Sequence, residues 1–368
     1  MLTVYFYGSL QSRHQLFIGG GELGNARTVD LLRQIGCKVW TVRKIRMGNT
    51  CPRWLRIFTY PLRVLMPYVR LVPLLLFGTR KAIVHLSGVC GNVIYNELVI
   101  AFLARIFGYH LIYEIRGGGI VMFYNSKSTI YRFCFRYIIN HADVVLLQGS
   151  DGKTLVEGLC RTPIYIYPNF ISSELIPAQL PAKSRDDWQM LYFGRLIPQK
   201  NILLIVEVVA ALQKKGINTY ITIVGDGTPS YIGKIKTAME TYLRRGTYNL
   251  MPPLSHNEML KILPDKHFLI YPSMLTLEGH SNSITEAMSY GIVPIASRQG
   301  FSTSVIGNNE LIVDNIGVEN FADRIAAIIE SGKFDQLSRQ MYERVLKNYT
   351  SDVAKKMLVS VYQTIVGA

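Results

Sequence analysis

An α/β architecture built from two parallel-sheet domains is the fold class that the sequence predicts, and three observations predict it. Short apolar runs alternate with helical stretches along most of the chain. The 368 residues suffice for two such domains, each with a sizeable core. A polar stretch at 172–187, holding Pro177 and Pro181, divides the alternation into two blocks.

In the first block, strands are expected at 4–7, 38–42, 82–86, 110–114, 144–148 and 164–167. Helices are expected at 22–35, 95–107 and 128–141. The run at 3–7 lacks a basic leader and a long apolar core, so it reads as a first buried strand and not as a signal peptide. Gly19, Gly21 and Gly24 spell Gly-x-Gly-x-x-Gly. The dinucleotide reading of that string needs a tight strand-to-helix turn and an acid after the second strand. Here residues 9–18 intervene, and Arg43 and Lys44 stand where the acid belongs, which leaves an NADP enzyme as a minor alternative. Close approach of backbone to a ligand is the use that glycines serve there. A second glycine cluster, Arg116-Gly117-Gly118-Gly119, follows Glu114; Arg116 suits a phosphate or sugar hydroxyl, or an ion pair with Glu114.

The net charge of +15 is uneven. Residues 1–170 hold 20 Lys/Arg against 7 Asp/Glu, a net of +13, and residues 171–368 hold 20 against 18, a net of +2. The first block therefore favours a polyanionic partner. Arg56, Arg63 and Arg70 recur every seven residues within 52–81, with Arg53 close by and apolar residues between. Pro61, Pro67 and Pro73 are expected to break a continuous helix there, and with the arginines they exclude a transmembrane span. Two readings stay open: an interfacial segment on an anionic bilayer, or a helix packed on the sheet with a solvated basic rim. Five cysteines (37, 51, 90, 134 and 160), odd in number and with no Cys-x-x-Cys pair, argue for reduced thiols in a cytoplasmic setting.

The second block opens with a strand ending at Phe193-Gly194-Arg195, followed by Lys200 and a helix at 202–214. Arg195 offers a forked pair of donors and Lys200 a point charge, beside a helix N-terminus; this suits a diphosphate, although either cation alone reads as surface charge. A strand at 219–224 ends in Gly225-Asp226-Gly227, and Ser255 is placed to cap a helix at 258–263. Helices near 319–331, 334–347 and 351–366 close the chain.

Glu278 and Glu286 are the most informative residues. Tyr271-Pro272-Ser273 ends the apolar run 267–271, Glu278 follows in a loop, and Glu286 is expected in the first turn of a short helix before the apolar run 292–296. Loops at the carboxyl ends of such strands face ligands. The first helical N–H groups, about residues 282–284, lack internal partners and favour an anion. Carboxylates on either side of those amides suit hydroxyls of a polyol, so the chemistry suggested is a sugar attached to a phosphate. The plainer alternatives are that Glu286 caps its helix in a Ser283-x-x-Glu286 box and that Glu278 is an ordinary loop acid.

The string Pro272-Ser273, Glu278-Gly279, Glu286-Ala287-Met288, Gly291, Pro294 resembles the Glu-x7-Glu signature of the family-four retaining glycosyltransferases, of the group 1 type. Gly194-Arg195 with Lys200, and Gly225-Asp226-Gly227, resemble further elements of that family, as does Pro168-Asn169 before the linker. The resemblance is specific over 190–300 and holds only in outline over 1–170. It implies a GT-B fold: two Rossmann-like domains facing each other across a cleft, with the C-terminal helix crossing back to the first domain. The implied boundaries are 1–171 for an acceptor- and membrane-facing domain, 172–187 for the linker, 188–350 for the nucleotide-sugar domain and 351–368 for the returning helix.

By this resemblance Arg195 and Lys200 hold the diphosphate, Glu278 the hydroxyls of the transferred sugar and Glu286 the ribose. Gly194, the backbone of His280, Ser281, Asn282 and Ser283, and Gly225, Asp226 and Pro252 complete the donor site. Gly20, Gly21 and Glu22 fit the family's glycine loop facing the donor phosphates, and Arg116 with Gly117 stands where many members carry a histidine. No protein nucleophile is evident, and the family is discussed as attacking on the leaving-group face.

The implied donor is a nucleotide sugar, with no bound cofactor. No Asp-x-Asp, His-x3-His or cysteine set is present, so no metal is expected at the diphosphate. The implied acceptor is a saccharide or a polyprenyl-diphosphate-linked saccharide in bacterial surface polysaccharide synthesis. An anionic membrane surface is contacted through 52–81, on the cytoplasmic face. No nucleic-acid partner is expected, because no recognised motif accompanies the charge. The alternatives are a sugar-nucleotide epimerase or hydrolase of the same fold, and a non-enzymatic basic membrane-binding protein.

Overall fold

The computed structural model describes residues 1–10, 20–44, 53–79 and 81–367, without the side chains of 53–63. Gly19, Cys51, most of the loop 9–18 and the side chains of Arg53, Arg56 and Arg63, all used above, lie outside that description.

The chain forms two compact units. The first comprises Met1–Asn169 and the chain from Ala354 onward; the second is Phe170–Val353. The first unit runs β1 (Thr3–Gly8), α1 (Gly20–Gln34), β2 (Lys38–Arg43), α2 (Arg53–Phe77), β3 (Ile83–Val89), α3 (Ile94–Ile106) and β4 (His110–Arg116). It continues through α4 (Ile120–Ser126), α5 (Thr129–His141), β5 (Val144–Leu147), α6 (Lys153–Glu157) and β6 (Ile164–Ile166). The second runs β7 (Trp188–Phe193), α7 (Ile202–Lys214), β8 (Thr219–Val224), α8 (Pro229–Tyr242), β9 (Tyr248–Met251), α9 (His256–Ile262) and β10 (Phe268–Tyr271). It ends with α10 (Asn282–Met288), β11 (Val293–Ser297), α11 (Ser302–Ile306), β12 (Ile312–Val313), α12 (Val318–Glu330) and α13 (Phe334–Asn348), before α14 (Ser351–Val366).

Each unit holds one parallel six-stranded sheet. The orders are β2-β1-β3-β4-β5-β6 and β12-β11-β10-β7-β8-β9. Burial on both faces explains why the central strands read as continuous apolar runs and not as alternating ones: every residue of β1 and of β10 is buried. The chain reverses direction across the sheet between β1 and β3 in the first unit and between β7 and β10 in the second. Ligands of open α/β sheets bind at such switch points, outside the carboxyl ends of the strands.

From Ala354 onward the last helix belongs to the first unit. Its Tyr362 hydroxyl meets Nδ1 of the buried His85 at 2.8 Å, beneath β3. Ser255 caps α9 in a full capping box with Glu258.

The expected break at Pro61, Pro67 and Pro73 does not occur: α2 is one helix of 25 residues. A proline removes its own N–H and leaves the carbonyl four residues earlier without a donor. For Pro73 that residue is Val69, which is 67% exposed, so water can replace the donor. Tertiary contacts then hold the helix end, where the Tyr109 hydroxyl donates to the Leu75 carbonyl at 2.9 Å and the Thr79 N–H donates to the Tyr5 hydroxyl at 3.1 Å. Among the described residues, no helix is long and apolar enough to cross a membrane.

Candidate donor site at the β7–β10 switch point

The segments leaving β7 and β10 converge in the second unit. Strand β7 is followed by Gly194, whose φ of 145° lies where side chains are strained. Its neighbour is the turn after β8. A Cβ on Gly225 would lie 1.9 Å from the Gly194 carbonyl oxygen, and one on Gly227 would lie 2.3 Å from that of Leu196. The Leu196 N–H donates to the Asp226 carbonyl at 2.6 Å. Gly225-Asp226-Gly227 is therefore a backbone ledge that fixes the path of Gly194-Arg195-Leu196. Asp226 itself is exposed, as is Pro252 beyond β9. Arg195 is exposed and has no ion-pair partner among the described residues, although the Tyr192 hydroxyl donates to its carbonyl at 3.0 Å.

Lys200 behaves differently. It ends a short turn before α7 and is 5% exposed. Its Nζ ion-pairs with Oε1 of Glu278 and lies 2.5 Å from the Tyr271 hydroxyl. Burial lowers the Lys200 pKa, and the Glu278 charge only partly offsets it. Glu278 also accepts from the Tyr271 hydroxyl at 2.7 Å and, on Oε2, from Ser273 at 2.7 Å. Burial, reinforced by the Glu278 charge, raises the Tyr271 pKa well above its usual value. Tyr271 thus stays a neutral hydroxyl between cation and carboxylate, with the Ser281 hydroxyl donating to it at 3.0 Å. Gly300 backs the loop: a Cβ there would sit 2.2 Å from the Glu278 carbonyl oxygen.

Glu286 lies past the first turn of α10, as its fifth residue, and is 8% exposed. The N-cap is Ser281 and not Ser283, and no side-chain cap forms. The expected first-turn position and the capping-box alternative are both corrected by this two-residue offset. The His280 ring contacts the Thr285 hydroxyl at 2.5 Å and meets the Tyr349 ring edge-on at 4.9 Å, which anchors the loop. Asn282 and Ser283 open α10, and a Cβ on Gly194 would lie 3.8 Å from the Ser283 hydroxyl oxygen.

The remaining predicted residues belong to the first unit. Gly20 and Gly21 begin α1, with Glu22 in its first turn. Arg116 is 5% exposed. Its guanidinium pairs with Glu114 at 2.6 Å and donates to Asn169 and Thr28, each at 2.9 Å. The ion-pair alternative for Arg116 is the arrangement observed. Gly24, the third glycine of the rejected fingerprint, admits that guanidinium: a Cβ there would lie 2.1 Å from Arg116 Nη1. Gly117, at φ 105°, donates its N–H to Gln148 at 2.9 Å.

Sequence reasoning passed over Tyr271, Ser273 and Gly300 as site residues. Tyr271 and Ser273 were visible as the end of a strand shortly before the first glutamate; only the fold shows that their hydroxyls serve it.

Residues 176–347 match the family described as glycosyl transferases group 1. This segment belongs to the group 1 glycosyltransferases. An uncharacterized glycosyltransferase of Bacillus subtilis, YqgM, is 22% identical over 197 residues. That match covers 53% of this chain and 54% of the relative, so it spans about half of the curated relative's length. Among solved structures, the sucrose-phosphate synthase of Thermosynechococcus elongatus superposes with a TM-score of 0.76 at 15% identity over all of both chains. Anabaena HepE, in complex with UDP and glucose, gives 0.65 at 14% identity, covering 99% of this chain and all of that one. Over its full length the chain shares the fold of these structures, the GT-B fold of glycosyltransferases.

Proposed function

We propose that the protein transfers a sugar, with retention of configuration, from a nucleoside-diphosphate sugar to a saccharide or lipid-linked acceptor in surface polysaccharide synthesis. The convergence of Arg195, Lys200 and Glu278 at one switch point carries this reading. When the bond from the sugar to the diphosphate breaks, negative charge develops on the leaving oxygen, and fixed cations stabilise it. Arg195 is exposed and without an ion-pair partner among the described residues, so it is the cation available to the diphosphate. Lys200 would act from beneath, its charge divided between that diphosphate and Glu278. Glu278 would reach hydroxyls of the transferred sugar and Glu286 those of the ribose, beside the backbone of 280–283. Gly194, Gly225, Asp226 and Pro252 would frame the nucleotide.

Because HepE is held in complex with UDP, UDP and its sugars head the ligand screen. A nucleotide at a hundred times its dissociation constant should add about 2.7 kcal/mol of apparent stability. Thermal shift with UDP, GDP and ADP should therefore single out one base, and Arg195→Ala should reduce that shift. No shift with any of them would overturn the reading. Nucleotide release without an acceptor would favour the hydrolase or epimerase alternative.

The acceptor side is proposed to meet an anionic membrane surface on the cytoplasmic face, through 52–81. Support comes from the net of +13 over residues 1–170 and from α2, where Arg70 is exposed beside Leu65, Met66, Val69, Leu76 and Phe77. Each basic residue near such a surface contributes about 1 kcal/mol, and salt screens it. Flotation with anionic vesicles should retain the protein at low salt and release part of it at high salt. Changing Arg56, Arg63 and Arg70 to Glu should reduce retention with nucleotide affinity unchanged. Equal retention on neutral and anionic vesicles would overturn this contact.

A further inference from the structure

A cavity of about 730 Å³ lies between α2 and β2, the edge strand of the first sheet. That volume falls within the ~300–1,000 Å³ typical of small-molecule sites. Trp40, Val69, Pro73, Leu74 and Phe77 give it an apolar side, with Tyr5 and three threonines also in the lining. Phe77 is 87% exposed and Trp40 is 46% exposed, so large apolar groups stand open to water at its mouth. Lys38 and Arg70 also line it, both exposed, and Lys38 Nζ sits 5.3 Å from the centroid of the Trp40 ring. Gly78 also lines it, and a Cβ there would lie 2.0 Å from the Tyr5 hydroxyl oxygen, so the end of α2 is seated tightly on β1.

We propose that this cavity holds one hydrocarbon chain of an anionic phospholipid, with the headgroup phosphate between Lys38 and Arg70. The inference deepens the membrane reading given above and rests on it. A slot with a large apolar side and two exposed cations matches an amphiphile of that charge pattern. The exposed apolar side chains of α2 continue from the slot along the same helix, at Leu65, Met66 and Leu76. A chain withdrawn from a bilayer surface would therefore pass from lipid to protein without crossing water. Neither the donor site nor its proposed chemistry uses any of these residues.

The test uses the full chain and dodecyl phosphate kept below its critical micelle concentration, titrated by calorimetry. Saturable binding is expected, with inorganic phosphate giving none and the zwitterionic dodecylphosphocholine binding more weakly. Val69→Trp, which fills the slot from an exposed position, should weaken binding by about tenfold or more. Lys38→Glu with Arg70→Glu should do the same by removing the phosphate contacts. Absence of saturable binding, or equal binding by both variants and the parent, overturns the proposal. Vesicle flotation on the same preparations separates the two readings. Flotation without dodecyl phosphate binding removes the slot and leaves the membrane contact, and binding without flotation removes the membrane contact and leaves the slot as an amphiphile site.

Discussion

Glu278→Gln is expected to lower sugar transfer by about 100-fold or more, the scale seen when one charge-stabilising group is removed from a reaction centre. The substitution keeps the shape of the side chain. Its carbonyl can still accept from Tyr271, and the Ser273 hydroxyl can turn to accept from the new amide, so the loop backed by Gly300 should keep its course. What is lost is the charge. Lys200, 5% exposed, then has no counter-charge, and burial already lowers its pKa against the opposing effect of Glu278. Removing Glu278 lowers it further, so Lys200 in the variant loses its proton as pH rises through a range where the parent keeps it. Nucleotide affinity of the variant should accordingly fall with rising pH more steeply than that of the parent. Treated as independent side chains, Lys200 on the diphosphate and Glu278 on the sugar would give separable losses. The observed ion pair couples them. The measurements are initial transfer rates with the donor identified by thermal shift, and nucleotide affinity against pH. Transfer at the parent rate by Glu278→Gln would remove Glu278 from the site.

Local pattern carried the architecture and fell short at contacts between distant residues. Helix α7 and strand β8 have the bounds expected from the sequence, Ile202–Lys214 and Thr219–Val224, because the strand is buried on nearly all positions and the helix buries eight of its 13 residues against the sheet, so both stand out as apolar runs. Helix α8 (Pro229–Tyr242) was not singled out: only Tyr231, Ile235 and Met239 of its 14 residues are buried, a thin apolar stripe. The prolines of α2 misled for a related reason. A local rule predicts a break, and packing of Tyr5 and Tyr109 on the helix end overrides it. At the site, the residue types at 195, 200, 278 and 286 were legible as donors and acceptors. The pairing of Lys200 with Glu278 was not, since it joins segments 78 positions apart through a strand switch that no local spacing records. The same holds for Gly24. In sequence it completes a nucleotide fingerprint, and in the fold it makes room for a guanidinium brought from β4.

That guanidinium supports the second large effect. Arg116→Met should destabilise the first unit by about 3–5 kcal/mol, the usual result of removing one partner from a buried ion pair. Glu114 is fully buried, and its remaining partner is the buried His85, at 3.0 Å, itself bonded to Tyr362 of α14. Burial pushes the Glu114 carboxyl up, but the Arg116 charge and the His85 bond outweigh it and hold the pKa below the usual carboxylate range. A native pKa below the unfolded one adds stability that is present above the unfolded value and is lost as pH falls through the native value. With Arg116 gone, burial dominates and the carboxyl takes up a proton more readily, so the cost of the substitution should be largest near neutral pH and shrink in acid. Glu114→Leu combined with Arg116→Met should recover part of the loss, because no charge is then left unpaired, although His85 still loses its partner. Unfolding of a chain with two units need not be two-state, so the readout is hydrogen exchange at β3 and β4 against that at β7 and β10. Protection should drop in the first pair and hold in the second, with nucleotide binding retained. A uniform drop in both sheets, or a cost independent of pH, would show that Arg116 does not act through Glu114.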